Sequence, residues 1–163
     1  MKHEIVAWNL KRNGLAFDPI LEAKMLSEEA YEFFAADDLV ERIREFADFV
    51  FVLTGTKAKF FAKTYSDHRE VAYSYEHFNV LLEWAAATKE EMQDILAEEL
   101  GWEKYYAVVS KAIDAVISAN NAKGTEKDSN GKVVKGPNYV SPSETIARIL
   151  QEYAIEDKRT QAD

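Results

Sequence analysis

Two helix-forming segments, separated only by Asp37 and Asp38, carry acids where apolar residues belong, and few folds can accommodate that. Residues 19–36 and 39–62 both read as amphipathic helices. The first holds Glu28, Glu29 and Glu32; the second, after twelve intervening residues, holds Glu45 and Asp48. A helix turns about 100° per residue, so acids three apart share a face. With Leu21 as the zero of a helical wheel, Glu32 falls near ~20°, Met25 near ~40°, Glu29 near ~80°, Phe33 near ~120° and Leu26 near ~140°. Glu29 and Glu32 then sit inside the apolar arc, with Glu28 at its edge. On the second helix Leu39, Ile43, Phe46, Phe49, Val50 and Leu53 make the apolar side. Glu45 and Asp48 occupy another face, with Val52 between them and Glu41 nearby.

A buried carboxylate costs on the order of several kcal/mol unless it is compensated, and carboxylates crowded together cost more. A divalent cation is the usual remedy, and oxygen ligands without His or Cys suit Mg²⁺ or Mn²⁺. The competing reading is a solvated acidic face, common in a chain this rich in acids. Glu41 has its own alternative, because Asp38-Leu39-Val40-Glu41 reads as a capping box. A two-residue turn favours antiparallel neighbours, which would bring both acid sets together.

The rest of the chain supports an all-α reading. Residues 3–13 form a short amphipathic helix that ends at Asn13-Gly14, and Asp18-Pro19 opens the next with an N-cap and an N1 proline. After 39–62 the pattern predicts a polar connection over 63–73, containing His68, and then a helix over 74–87. Thr88-Lys89-Glu90-Glu91 is a capping box that starts a separate helix ending near Gly101. Residues 102–121 have strong helical periodicity. Residues 122–140 are polar and hold Gly124, Gly131, Gly136 and Pro137; a stretch this long without periodicity is usually functional or disordered. Lys132-Val133-Val134-Lys135 can extend briefly. Ser141-Pro142-Ser143-Glu144 caps a last helix, and 157–163 is a frayed tail. The whole reads as one domain over 1–156, with 124–140 as its functional loop.

Composition narrows the function. The 163 residues include 47% hydrophobic and 12% aromatic side chains, enough for one real core. A formal charge of -9 argues against binding a nucleic-acid polymer. The absence of cysteine removes thiolate chemistry, disulfides and Cys-based zinc sites, and fits a cytoplasmic location. No signal peptide is visible and no run approaches a membrane span, so neither export nor a membrane partner is expected.

Glu-Glu-x-x-Glu, twelve residues, then Glu-x-x-Asp resembles the signature of the MazG-like all-α nucleoside triphosphate pyrophosphohydrolases, with Glu28, Glu29, Glu32, Glu45 and Asp48 matching position by position. A second block is similar to the tail of a subgroup labelled phosphoribosyl-ATP pyrophosphohydrolase-like, frequent among phage-encoded members. It runs through Asn120 and Lys123, Gly131-Lys132, Lys135-Gly136, Tyr139 and Pro142. The resemblance covers roughly residues 15–62 and 102–142; residues 63–100 are longer than the compact family core requires.

The resemblance implies an antiparallel helical bundle of the all-α NTP pyrophosphatase type, assembled as a homodimer or homotetramer. It implies Mg²⁺ or Mn²⁺ held by Glu29, Glu32, Glu45 and Asp48, with Glu28 in a supporting role. The implied reaction is hydrolysis of a nucleoside triphosphate between the α- and β-phosphates, giving a nucleoside monophosphate and pyrophosphate. Asn120, Lys123, Lys132, Lys135 and Tyr139 become substrate-binding candidates, against the alternative of a solvated basic loop. Trp8 and the Tyr105/Tyr106 pair are candidates to stack on a base, although such aromatics are more often core. Two other functions compete: a dedicated phosphoribosyl-ATP hydrolase, and a non-catalytic acidic helical protein that binds a basic partner.

Overall fold

The computed structural model describes residues 2–13, 15–66, 71–127, 129, 133–137 and 139–155, with backbone alone for 13, 64–66 and 71–77. Gly14, His68, Gly131, Lys132, Asn138 and the 157–163 tail lie outside the described residues, as do the side chains of Tyr73, Tyr75 and His77. Six helices are found among the described residues: α1 (Lys2–Asn13), α2 (Pro19–Ala35), α3 (Leu39–Ser66), α4 (Val71–Leu100), α5 (Trp102–Asn121) and α6 (Ser143–Glu152). The expected all-α class is therefore what the chain adopts.

Local chemistry sets the helix ends. Asp18 caps α2 by accepting hydrogen bonds from the Ile20 and Leu21 N–H groups at 3.0 and 3.2 Å, and Pro19 supplies a preset φ. Asp38 caps α3 by accepting from the Glu41 N–H at 2.8 Å. Gly101 separates α4 from α5 with φ +78°, a conformation that costs glycine little and a side-chain-bearing residue more.

α3 is the central rod. It packs against all five other helices, most extensively against α2. α2 and α3 run antiparallel: Phe33 meets Phe46 near the turn, and Glu22 meets Thr56 and Lys59 far from it. One apolar core joins residues from every helix, including Ile5, Leu26, Phe46, Leu96, Val108 and Ile146. Burying each such side chain contributes roughly 1.5–3 kcal/mol.

Two expectations fail in the middle of the chain. The connection over 63–73 is largely helical, because α3 continues to Ser66 and α4 starts at Val71. The helices expected at 74–87 and 88–100 are one helix. Thr88 is buried within α4, which runs through it from Val71 to Leu100. Phe78, Ala85, Met92 and Leu96 form one buried stripe through this point. Continuous packing of that stripe outweighs a local cap worth about 1 kcal/mol.

Candidate metal centre

The turn between α2 and α3 sets the acids of one helix against those of the other. One carboxylate oxygen from each of Glu29, Glu32 and Glu45 lies within 4.8 Å of the others, two from α2 and one from α3. Glu28 and Asp48 are not part of that set of three. Asp48 stands three residues on from Glu45, lines the same cavity as Glu29, and adds its charge to the field at Glu45. Glu28 is half-buried on α2.

The expected burial of these acids needs correction. Glu32 is exposed and Glu29 half-buried; Glu45 is the acid that is sealed in, at 3% exposure. The buried stripe of α2 is Glu22, Leu26, Ala30 and Phe33, which lies at roughly 100–180° on the same wheel. Leu21 and Met25 pulled the apolar arc toward Glu32, but both line a cavity instead of the core.

Glu45 has two unlike oxygens. Oε1 takes the Arg44 guanidinium in an ion pair, while Oε2 is buried without a hydrogen-bond partner. Burial pushes the Glu45 carboxyl up to about 8; Arg44 opposes this, and the Glu32 and Asp48 carboxylates add to it. Arg44 also donates from Nε to Glu41 Oε2 at 2.7 Å. Its burial is outweighed by the charges of Glu45, Glu41 and Asp48, which hold the guanidinium above its ordinary value. An all-oxygen set with an orphaned buried carboxylate oxygen fits a hard divalent cation, which would replace the proton that Glu45 otherwise keeps.

The loop after α5 comes to the same place. The Tyr139 ring has the Lys123 and Lys135 ammonium groups 5.6 and 4.8 Å from its centroid. Its phenol is raised by burial and by the Asp48 and Glu45 charges, against Arg44. The two sequence blocks thus meet around Arg44, Glu45, Asp48 and Tyr139. α1 ties the loop down: Arg12 donates to the Gly124 and Lys123 carbonyls at 3.0 and 2.6 Å, and Trp8 Nε1 donates to the Asn120 carbonyl at 2.8 Å. Lys127 bridges Val133, consistent with the brief extended stretch expected there. Asn120 is buried and spends its amide N–H on the Val116 carbonyl at 3.0 Å. Lys132 lies outside the described residues.

Beside the acids is a cavity of about 250 Å³. Trp8, Phe17, Phe51 and Val52 form apolar wall, Glu29 and Asp48 mark one region of the lining, and Asn120, Lys123 and Lys127 contribute from the loop side. Trp8 meets Phe51 edge-on at 5.2 Å, with Arg12 4.4 Å over its ring. Tyr105 is a core residue at 2% exposure, Tyr106 is exposed, and neither lines the cavity.

Sequence reading missed Arg44 and a buried trio in the cavity lining and beneath it. Glu22 accepts from Thr56 Oγ1 at 2.6 Å and from Lys59 Nζ at 2.7 Å, all three at 5% exposure or less. A signal existed: Glu22 sits four residues before Leu26 on the stripe that proves to be buried. No family model matches the sequence, and neither the curated proteins nor the solved structures gave a match.

Proposed function

We propose that this chain is a divalent-cation-dependent nucleoside triphosphate pyrophosphohydrolase of the MazG-like all-α kind, cleaving between the α- and β-phosphates. The observation that supports it most is the meeting of Glu29, Glu32 and Glu45 within 4.8 Å, beside a cavity that Asp48 and Lys123 also line. Glu29, Glu32 and Glu45, with Asp48 adjacent, are the residues that would hold Mg²⁺. When bound, the cation neutralises phosphate charge and acidifies water, which a net charge of -9 makes necessary for a polyanionic substrate.

The chain's own residues supply the rest. Lys123 and Lys135, gathered on the Tyr139 ring, are placed to make charge-assisted contacts with phosphate oxygens. Arg44 fixes the orientation of Glu45. Trp8, Phe17 and Phe51 offer apolar surface for a base and exclude water from it. Asn120 shapes the wall through its backbone bond to Trp8. The products would be a nucleoside monophosphate and pyrophosphate.

The test is pyrophosphate release from a panel of NTPs, dNTPs and phosphoribosyl-ATP with Mg²⁺ or Mn²⁺. Turnover on a common nucleotide that stops with chelator supports the reading. Turnover of phosphoribosyl-ATP alone would move it to the narrower hydrolase, and no turnover at all would overturn it.

A further inference from the structure

The cavity has a second charged feature that metal binding does not use. Glu22 and Lys59 both line it, although they are 1% and 5% exposed. Burying an ion pair in an apolar wall brings little net stability, since desolvation offsets most of the attraction. Its presence there calls for a role in recognition.

Glu22 is satisfied on both oxygens, by Lys59 and Thr56. Lys59 gives one of its three N–H groups to Glu22 and keeps two that can only donate. Asn9, buried in the same lining, spends its amide N–H on the Ile5 carbonyl at 2.9 Å, so its Oδ1 remains an acceptor. Gly55 permits this: a Cβ there would stand 2.7 Å from Asn9 Nδ2. Trp8, Phe17 and Phe51 line the same cavity.

Glu22 and Glu29 are seven residues apart on α2, and Gly55 and Asp48 seven apart on α3, about 10 Å of rise in each case. That separation suits the length of a nucleoside with its phosphates at the acid cluster.

We propose that Lys59, held by Glu22, and Asn9 form a base-reading site selective for keto bases, those that present a carbonyl oxygen beside a ring N–H. A carbonyl has two lone pairs for the two remaining N–H groups of Lys59; the ring nitrogen that replaces the N–H in an amino base has one. The adjacent ring N–H donates to Asn9 Oδ1. Adenine and cytosine put their exocyclic amine where the keto bases have that oxygen, and an ammonium repels it. This inference rests on the nucleotide-hydrolase reading of the same cavity.

The test uses two matched nucleoside pairs that differ in keto against amino: inosine with adenosine, and uridine with cytidine. Being uncharged, they need no cation to bind. Trp8 lines the cavity, so its fluorescence reports entry, with Trp8→Phe as the control for the other tryptophans. The keto member of each pair should bind about 10-fold tighter, the discrimination a good pair of hydrogen bonds provides. The double change Glu22→Leu with Lys59→Met, which removes both charges at similar volume, should leave the fold intact and bring each pair within about twofold. Asn9→Ala, which leaves the ion pair in place, should weaken the bias by severalfold. Equal binding within the pairs, binding of none of the four, or an unchanged bias in a folded double variant would overturn the proposal. Selective nucleoside binding without pyrophosphate release from any NTP would instead sustain this site and defeat the hydrolase reading. Hydrolysis with the same kcat/KM for keto and amino bases would do the reverse.

Discussion

Arg44 and Glu45, consecutive on α3, form an ion pair that leaves the second carboxylate oxygen of Glu45 buried and without a partner. A carboxyl group held on one oxygen by its own neighbour has a fixed direction, and its other oxygen is left to a proton or a cation. Removing Arg44 should therefore damage cation binding from outside the ligand set. Arg44→Ala is expected to weaken Mg²⁺ affinity about 10- to 100-fold, as loss of a ligand-orienting partner does. Arg44→Lys should fall between, since it keeps the charge and loses the fork that also holds Glu41. Calorimetric titration of Mg²⁺ into the three proteins checks this.

Glu45 also sets a pH dependence. Its folded value of about 8 lies above its ordinary 4.5. Between those values the folded protein keeps a proton that the unfolded chain has released. Its contribution to stability is thus fully present below about pH 4.5, declines as pH rises, and is lost above about pH 8. The metal-free protein should melt lower as pH rises through that window, and Glu45→Gln should flatten the decline. Mg²⁺ competes with the same proton, so its apparent affinity should rise with pH up to about 8. Melting curves with chelator and with Mg²⁺, taken across the window, separate the two effects.

The Tyr139 ring gathers Lys123 and Lys135. Tyr139→Ala should release both, raising KM for the triphosphate by about fivefold, consistent with roughly 0.5–1 kcal/mol for each cation–π contact. kcat should change less, because the carboxylates are untouched. Tyr139→Phe, which retains the ring, should stay close to wild type. Steady-state kinetics on the three proteins gives the split.

The Glu22–Lys59 pair makes a stability prediction independent of catalysis. Lys59→Met alone leaves a carboxylate at 1% exposure without its cation, and should cost about 3–5 kcal/mol. Adding Glu22→Leu should recover most of that loss. Urea unfolding of the single and double variants measures the coupling directly.

The chain announced its helices more reliably than their limits or faces. Asp18-Pro19 and Asp38 mark starts that the structure uses, because a cap and a preset φ act locally. Thr88 carries the same kind of signal and is overridden, since Met92 and Leu96 continue the stripe begun at Phe78 and Ala85. The acid cluster was legible from spacing, because two antiparallel helices joined by a short turn leave little freedom near that turn. Which acid is sealed was not legible: Leu21 and Met25 look like core on a wheel and prove to line a cavity. Arg44 and Lys59 were invisible for a related reason. A lone cation on a helix reads as solvated until its buried partner, one residue or one helix away, is seen.

The central claim is that carboxylates from α2 and α3 share one cation. Diffraction from crystals grown with Mn²⁺, collected to locate anomalous scattering, tests it most directly. The account predicts a peak in contact with oxygens of Glu29, Glu32 and Glu45. Manganese bound elsewhere, with these three side chains turned apart and Glu45 still paired only to Arg44, would contradict it.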